Sequence, residues 1–271
     1  MKTSWHPVHA LVQSWRGLHM LMHTWWCLLL TSAALLVLAL TPSSYRSPYR
    51  EHVTLRLYTQ TAPLLLGFAL VTAVLAVVLT HIVVVTAHSY GLSHLALQVV
   101  IRVLVLELIP LTAAIAVAVR CTIPDGSDLA KMLNGAPALG LHNLPWMHRA
   151  VLPRVAAGVF AGCLLAAMSS VLSLVVAYWV SYGFTLSGLA GFIRSFGQVF
   201  TPAVCVILAL KIILLCLTVT LIPVASALND AQHSPTARDE AVRSSAEMRS
   251  LVRMAALVLL VEVASLVGNY A

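Results

Sequence analysis

Four ionisable side chains stand inside apolar runs long enough to be surrounded by lipid. Arg102 and Glu107 lie in one run, Lys211 in a second and Glu262 in a third. An ionised group at the centre of a membrane helix costs about 2.5–3.5 kcal/mol even on the lenient insertion scale, so such groups are paired and mark sites. Two cations and two anions can neutralise one another inside a bundle. They either fix helix register as ion pairs or form a polar patch lining a substrate cavity, and the two roles are compatible. A second stretch invites attention between Arg120 and Arg154, where a polar, turn-rich insert separates two membrane-length runs. Such an insert is where a soluble machine can grip a membrane protein.

Other chemistry is absent from the pattern. There is no GxxxxGK[ST] phosphate loop and no HExxH, GxSxG or HxE…CxxC arrangement. The chain is therefore not expected to be an enzyme or to bind a cofactor, and energy must come from a partner or an ion gradient. Cys27, Cys121, Cys163, Cys205 and Cys216 show no CxxC spacing, and no metal site is expected of them. His19 and His23 are spaced i, i+4, as metal ligands on a helix can be. Trp5, Trp15, Trp25 and Trp26 point instead to an amphipathic helix in the headgroup zone. His81 is expected to be a hydrogen-bonded packing residue.

The elements that must position the four charges are membrane helices. The chain is 60% hydrophobic and 9% charged, with mean hydropathy +0.93, far from soluble composition. The apolar runs are continuous, which excludes the alternating strands of a barrel. Five spans are expected, at about 62–86, 95–119, 155–180, 202–222 and 251–268. Residues 1–60 form an N-terminal unit, with 25–41 as an in-plane or re-entrant helix followed by a basic connector. Residues 61–271 form the five-helix domain, with a polar segment at 120–150. The net charge of +7 does not indicate nucleic acid, because the basic residues sit in short loops beside apolar runs. Lys and Arg concentrate at 42–60, 120–154 and 223–250, which places those loops and the N-terminus in the cytoplasm and the C-terminus outside.

Several motifs give the chain a family resemblance. Leu106-Glu107-Leu108-Ile109-Pro110, then Arg120, resembles the Arg-Glu-Leu-Gly-Pro…Gly-Arg run of the second span in the MlaE/YrbE family of ABC permeases. Asp128 to Met132 resembles the family's cytoplasmic Ala-Glu-x-x-x-Met. Pro153-Arg154 resembles its opening of the third span, and Lys211, Arg249 and Glu262 match a lysine, a basic residue and an acid of its later helices. Leu106 replaces the family's arginine, with Arg102 one turn earlier. Ile109 replaces its glycine, and the segment after Met132 is about two residues shorter.

The resemblance implies an all-α homodimer in the bacterial inner membrane. It implies separate ATPase subunits that supply ATP and Mg on the cytoplasmic side, an MCE-domain protein on the periplasmic side, and phospholipid as cargo. Asp128, Lys131, Met132 and Arg154 become the expected ATPase coupling residues, Asp128 and Met132 sharing one helix face. Arg102 or Lys211 is expected to attract the lipid phosphate, with Glu107 and Glu262 holding those cations in place. A secondary transporter with a charged midplane site is the alternative, although no inverted repeat is visible. A membrane scaffold that holds an MCE protein without transport is another.

Overall fold

The computed structural model describes residues 7–41, 50–135, 144–233 and 240–270. Every regular element among them is helical: α1 (Pro7–Leu40), α2 (Arg50–Ser89), α3 (Ser93–Val100), α4 (Ile109–Val117), α5 (Ile123–Gly135), α6 (Leu144–Trp146), α7 (Leu152–Tyr182), α8 (Leu189–Val199), α9 (Pro202–His233) and α10 (Glu240–Tyr270). Among the described residues, six stretches are long and apolar enough to cross a membrane: Met22–Leu40, Arg50–Ser89, Leu95–Leu133, Met147–Tyr182, Pro202–Asp230 and Glu247–Asn269. The five expected spans fall one in each of the last five. The chain is an all-α, multi-pass membrane protein.

The helices outrun the apolar stretches that announce them. α2 begins at Arg50, so the second half of the basic connector is already helical and continuous with the first span. The second span does not stop at Arg120. Helix runs from Ser93 to Gly135 through two π-helical stretches, Ile101–Leu108 and Ala118–Thr122. A third π-helical stretch, Met147–Val151, leads into α7. Each ends two residues before a proline: Pro110, Pro124 and Pro153. Proline has no N–H to give to the carbonyl four residues back, and its ring crowds that carbonyl. A wider i→i+5 turn is one way to relieve both. Pro63 and Pro223 sit inside α2 and α9 without such a turn; nothing in their surroundings explains the difference.

α7 and α9 form the centre. α2 packs along α7, and α10 packs along α9. Gly158 and Gly162 let α7 approach α9 closely: a Cβ on Gly158 would lie 2.8 Å from Thr220 Cγ2, and one on Gly162 would lie 2.5 Å from Cys216 Sγ. At one end, α7 closes on Gly183, whose φ of 70° favours glycine. The stretch between the third and fourth expected spans carries a helix, α8, which caps this end of the bundle. Its Phe192, Phe196 and Val199 pack on Leu97 and Ile101.

The other end is defined by the middle of α1. α1 is unbroken, so the re-entrant form, which needs a reversal, is not what these residues build. Leu28 and Leu35 join a core with Leu129, Leu133, Met147, Val151, Val224 and Leu228. Thr31 Oγ1 donates to Asn229 Oδ1 at 3.1 Å. The pairing of His19 with His23, Trp5 and Trp15, and residues 136–143 of the polar insert lie outside the described side chains. Trp26 is exposed. His81 lies on the outer face of α2 rather than in packing.

Candidate functional site

Three of the four expected intramembrane charges meet. Lys211, nine residues into α9, is fully buried, and its Nζ contacts carboxylate oxygens of both Glu107 and Glu262, the latter at 2.5 Å. The same ammonium donates to the Leu106 carbonyl at 3.2 Å. Pro110 is the reason that carbonyl is available, because it stands four residues on and has no N–H to offer. All three donor directions of the ammonium are thereby used. Sequence placed the lysine and the two acids; the proline supplies the third acceptor.

The cluster carries one positive and two negative formal charges, and it has polar neighbours. Asn269 Nδ2 donates to Glu107 Oε1 at 3.4 Å. Glu262, Ser265 and Asn269 follow at i, i+3 and i+7 and share a face of α10. Glu262 Oε1, Ser265 Oγ and Asn269 Oδ1 are buried there with no partner. Unmet polar atoms in the interior of a membrane helix bundle are costly and mark a functional position. Lys211 lies about 13 Å along its helix from Pro202, at the rise of about 1.5 Å per residue. The site is therefore inside the apolar layer, on the half nearer α8.

Arg102 does not join it. It lies on the exposed side of its helix, and no acid pairs with it among the described residues. Glu107 is held instead by Lys211 and Asn269, while the Arg102 side chain lies open to the outside of the bundle.

The expected coupling residues divide in two. Asp128 and Lys131 form an exposed i, i+3 pair at 3.1 Å, and Met132 is exposed beside them. These three present a face to the outside, as a docking surface requires. Arg154 is only 6% exposed. It faces inward: its guanidinium donates to the Ala150 carbonyl, its Nη2 lies 3.9 Å from Met132 Sδ, and its Nε lies 3.9 Å from Asp125 Oδ1.

Asp125 is the residue that sequence reasoning missed. It is buried, pairs with Arg56, accepts from Gln60 Nε2 at 2.8 Å and faces Arg154. It thus ties α2, α5 and α7 together directly beneath the exposed Asp128–Met132 face. Pro124-Asp125-Gly126 reads as a turn, yet Asp125 lies in an unbroken helical run, where the π-helical stretch Ala118–Thr122 passes into α5. The available signal was charge: two cations, Arg56 and Arg154, flank spans on the same side and need an acid between them.

Among the described residues, no group of three or more His, Cys, Asp or Glu can hold a metal. A family model described as Permease MlaE matches residues 54–267. No curated protein matches the chain.

Proposed function

Because the chain belongs to the MlaE permease family, we propose that this membrane component of a lipid transport system moves phospholipid past the Lys211 cluster, driven by separate ATPase subunits. It works as a homodimer in the bacterial inner membrane, and an MCE-domain protein receives or delivers lipid on the periplasmic side. ATP and Mg belong to the ATPase. The exposed Asp128–Met132 face takes up the ATPase movement, and the Asp125 hub transmits it to α2 and α7. The observation that carries this reading is a buried ammonium shared by two carboxylates inside an apolar bundle, with unmet polar atoms beside it. That arrangement gives a headgroup a polar station within a hydrophobic path. Apolar walls along α2, α4 and α10 accommodate acyl chains.

The test is a reconstituted complex of the chain with its ATPase and MCE partner. Lys211→Ala leaves two carboxylates without their cation, and lipid transfer is expected to fall at least tenfold. Loss of one partner of a buried pair costs about 3–5 kcal/mol, so a second variant separates function from folding. Lys211→Met with Glu107→Gln and Glu262→Gln removes all the charge together, and is expected to assemble normally yet still fail to transfer lipid. Full transfer by this triple variant would refute a role for the cluster in the lipid path.

A further inference from the structure

The Asp125 hub borders a cavity that lies at the opposite end of the bundle from Lys211. Its volume is about 440 Å³, and His52, Arg56, Thr59, Gln60, Arg149 and Arg154 line it, a size within the range of ligand pockets. Arg56 and Arg154 share one carboxylate, Asp125, and Arg149 adds a third guanidinium to the lining, so among the described residues lining or bordering the cavity positive charge is in excess. Arg154 is nine-tenths buried, yet its Nε has no hydrogen-bond partner; Arg56 Nε and Gln60 Oε1 are likewise buried and unmet. Arg149 is exposed at the rim and pairs with no acid among the described residues. Guanidinium forks match the oxygens of a phosphate, and a buried donor left unmet is costly.

The cavity also has an apolar exit. Leu55 lines it and lies on one face of α2 with Leu66 and Leu70, at i, i+11 and i+15. All three are strongly exposed. From Leu55 to Leu70 is about 22 Å along the helix, more than half of the ~30 Å hydrocarbon core. A polar pocket thus continues into an exposed apolar stripe.

We propose that this cleft binds the phosphate of an anionic lipid from the surrounding leaflet, with its acyl chains lying along Leu55, Leu66 and Leu70. The lipid bridges α2 and α7 beside the Asp125 hub and neutralises the excess charge there. This site is separate from the transport path and does not depend on it.

The experiment uses the full chain in non-ionic detergent, with lipid retention read by native mass spectrometry. Phosphatidylglycerol is expected to be retained at least tenfold better than phosphatidylcholine, whose choline cation opposes the guanidiniums. Arg149→Gln, at the exposed rim, is expected to weaken phosphatidylglycerol retention about tenfold, and Arg149→Lys to weaken it less. Arg194→Gln, on α8 at the far end, is expected to leave it unchanged. Equal retention of the two lipids, or no effect of Arg149→Gln, overturns the proposal. Displacement by millimolar inorganic phosphate as effective as the lipid itself would assign the cleft to a free anion and overturn the lipid source. Loss of ATPase copurification in Arg149→Gln with lipid retention intact would assign it to an acidic protein partner and overturn it equally.

Discussion

At the scale of single residues, burial separates charges that hold the fold from charges that face a partner. Asp125 and Asp128 are three positions apart and differ completely. Asp125 is buried between Arg56, Gln60 and Arg154. Asp128 pairs with Lys131 in the open, where an i, i+3 pair contributes about 0.2–0.5 kcal/mol. Asp125→Asn leaves Arg154 buried beside a neutral amide, and is expected to destabilise by about 3–5 kcal/mol. Asp128→Ala is expected to stay within about 0.5 kcal/mol of the wild-type chain. Thermal unfolding of the two variants in the same detergent checks the contrast; equal shifts would mean that Asp125 is not the hub. The family motif pointed to Asp128 because motifs record residue type and spacing. They do not record which of two neighbouring acids turns inward. Lys211, Glu107 and Glu262 were legible because any charge in an apolar run must find a partner. Arg102 obeyed the same rule on sequence and failed it in space: its side chain is exposed, and Lys211 alone among the described cations meets Glu107 and Glu262.

At the scale of elements, small residues and prolines decide how the helices meet. Gly158 and Gly162 stand where α7 touches Thr220 and Cys216 of α9. Gly162→Leu would drive a side chain into Cys216, an overpacking expected to cost more than the typical figure of about 1–3 kcal/mol. Gly67 has open space around it, so Gly67→Leu serves as the matched control and is expected to be tolerated. Size-exclusion recovery after a heating series distinguishes them; parallel losses would contradict the close approach of α7 and α9. The small-xxx-small spacing was readable in the sequence, but its partner helix was not. The π-helical stretches were not readable, because proline alone does not dictate them: they precede Pro110, Pro124 and Pro153 but not Pro63 or Pro223. Helix ends were also hidden: α9 continues past 222 to His233 because Val224, Ala225 and Leu228 have α1 and α5 to pack against, a tertiary cause that no local pattern contains.

At the scale of the whole molecule, two charged layers lie at different depths. The Lys211 cluster is within the apolar layer. The Asp125 hub is level with Pro223, because a Cβ on Gly126 would lie 3.4 Å from Pro223 Cβ. α1 meets the bundle on this same level and beyond it: Asn229, bonded to Thr31, is about 9 Å past Pro223 along α9. The middle of α1 therefore packs at the end of the bundle and not at its centre, which favours an in-plane course for α1 even though Met22–Leu40 is long enough to cross. The expected result is that a tag at the N-terminus and a tag in the 136–143 segment are shielded from outside reagents together. An N-terminal tag labelled from outside while the other stays shielded would mean that α1 crosses. The expected sense of the whole bundle, with the Lys- and Arg-rich loops in the cytoplasm, is read by the same labelling.

The central claim is that phospholipid passes the buried ammonium under ATP-driven motion. A photoactivatable phospholipid in the reconstituted complex tests it most directly, with adducts mapped by mass spectrometry before and after ATP. Adducts concentrated on α9 around Lys211 and on α10 around Glu262, rising with ATP, are the predicted result. Adducts spread evenly over the lipid-facing helices and indifferent to ATP would contradict it.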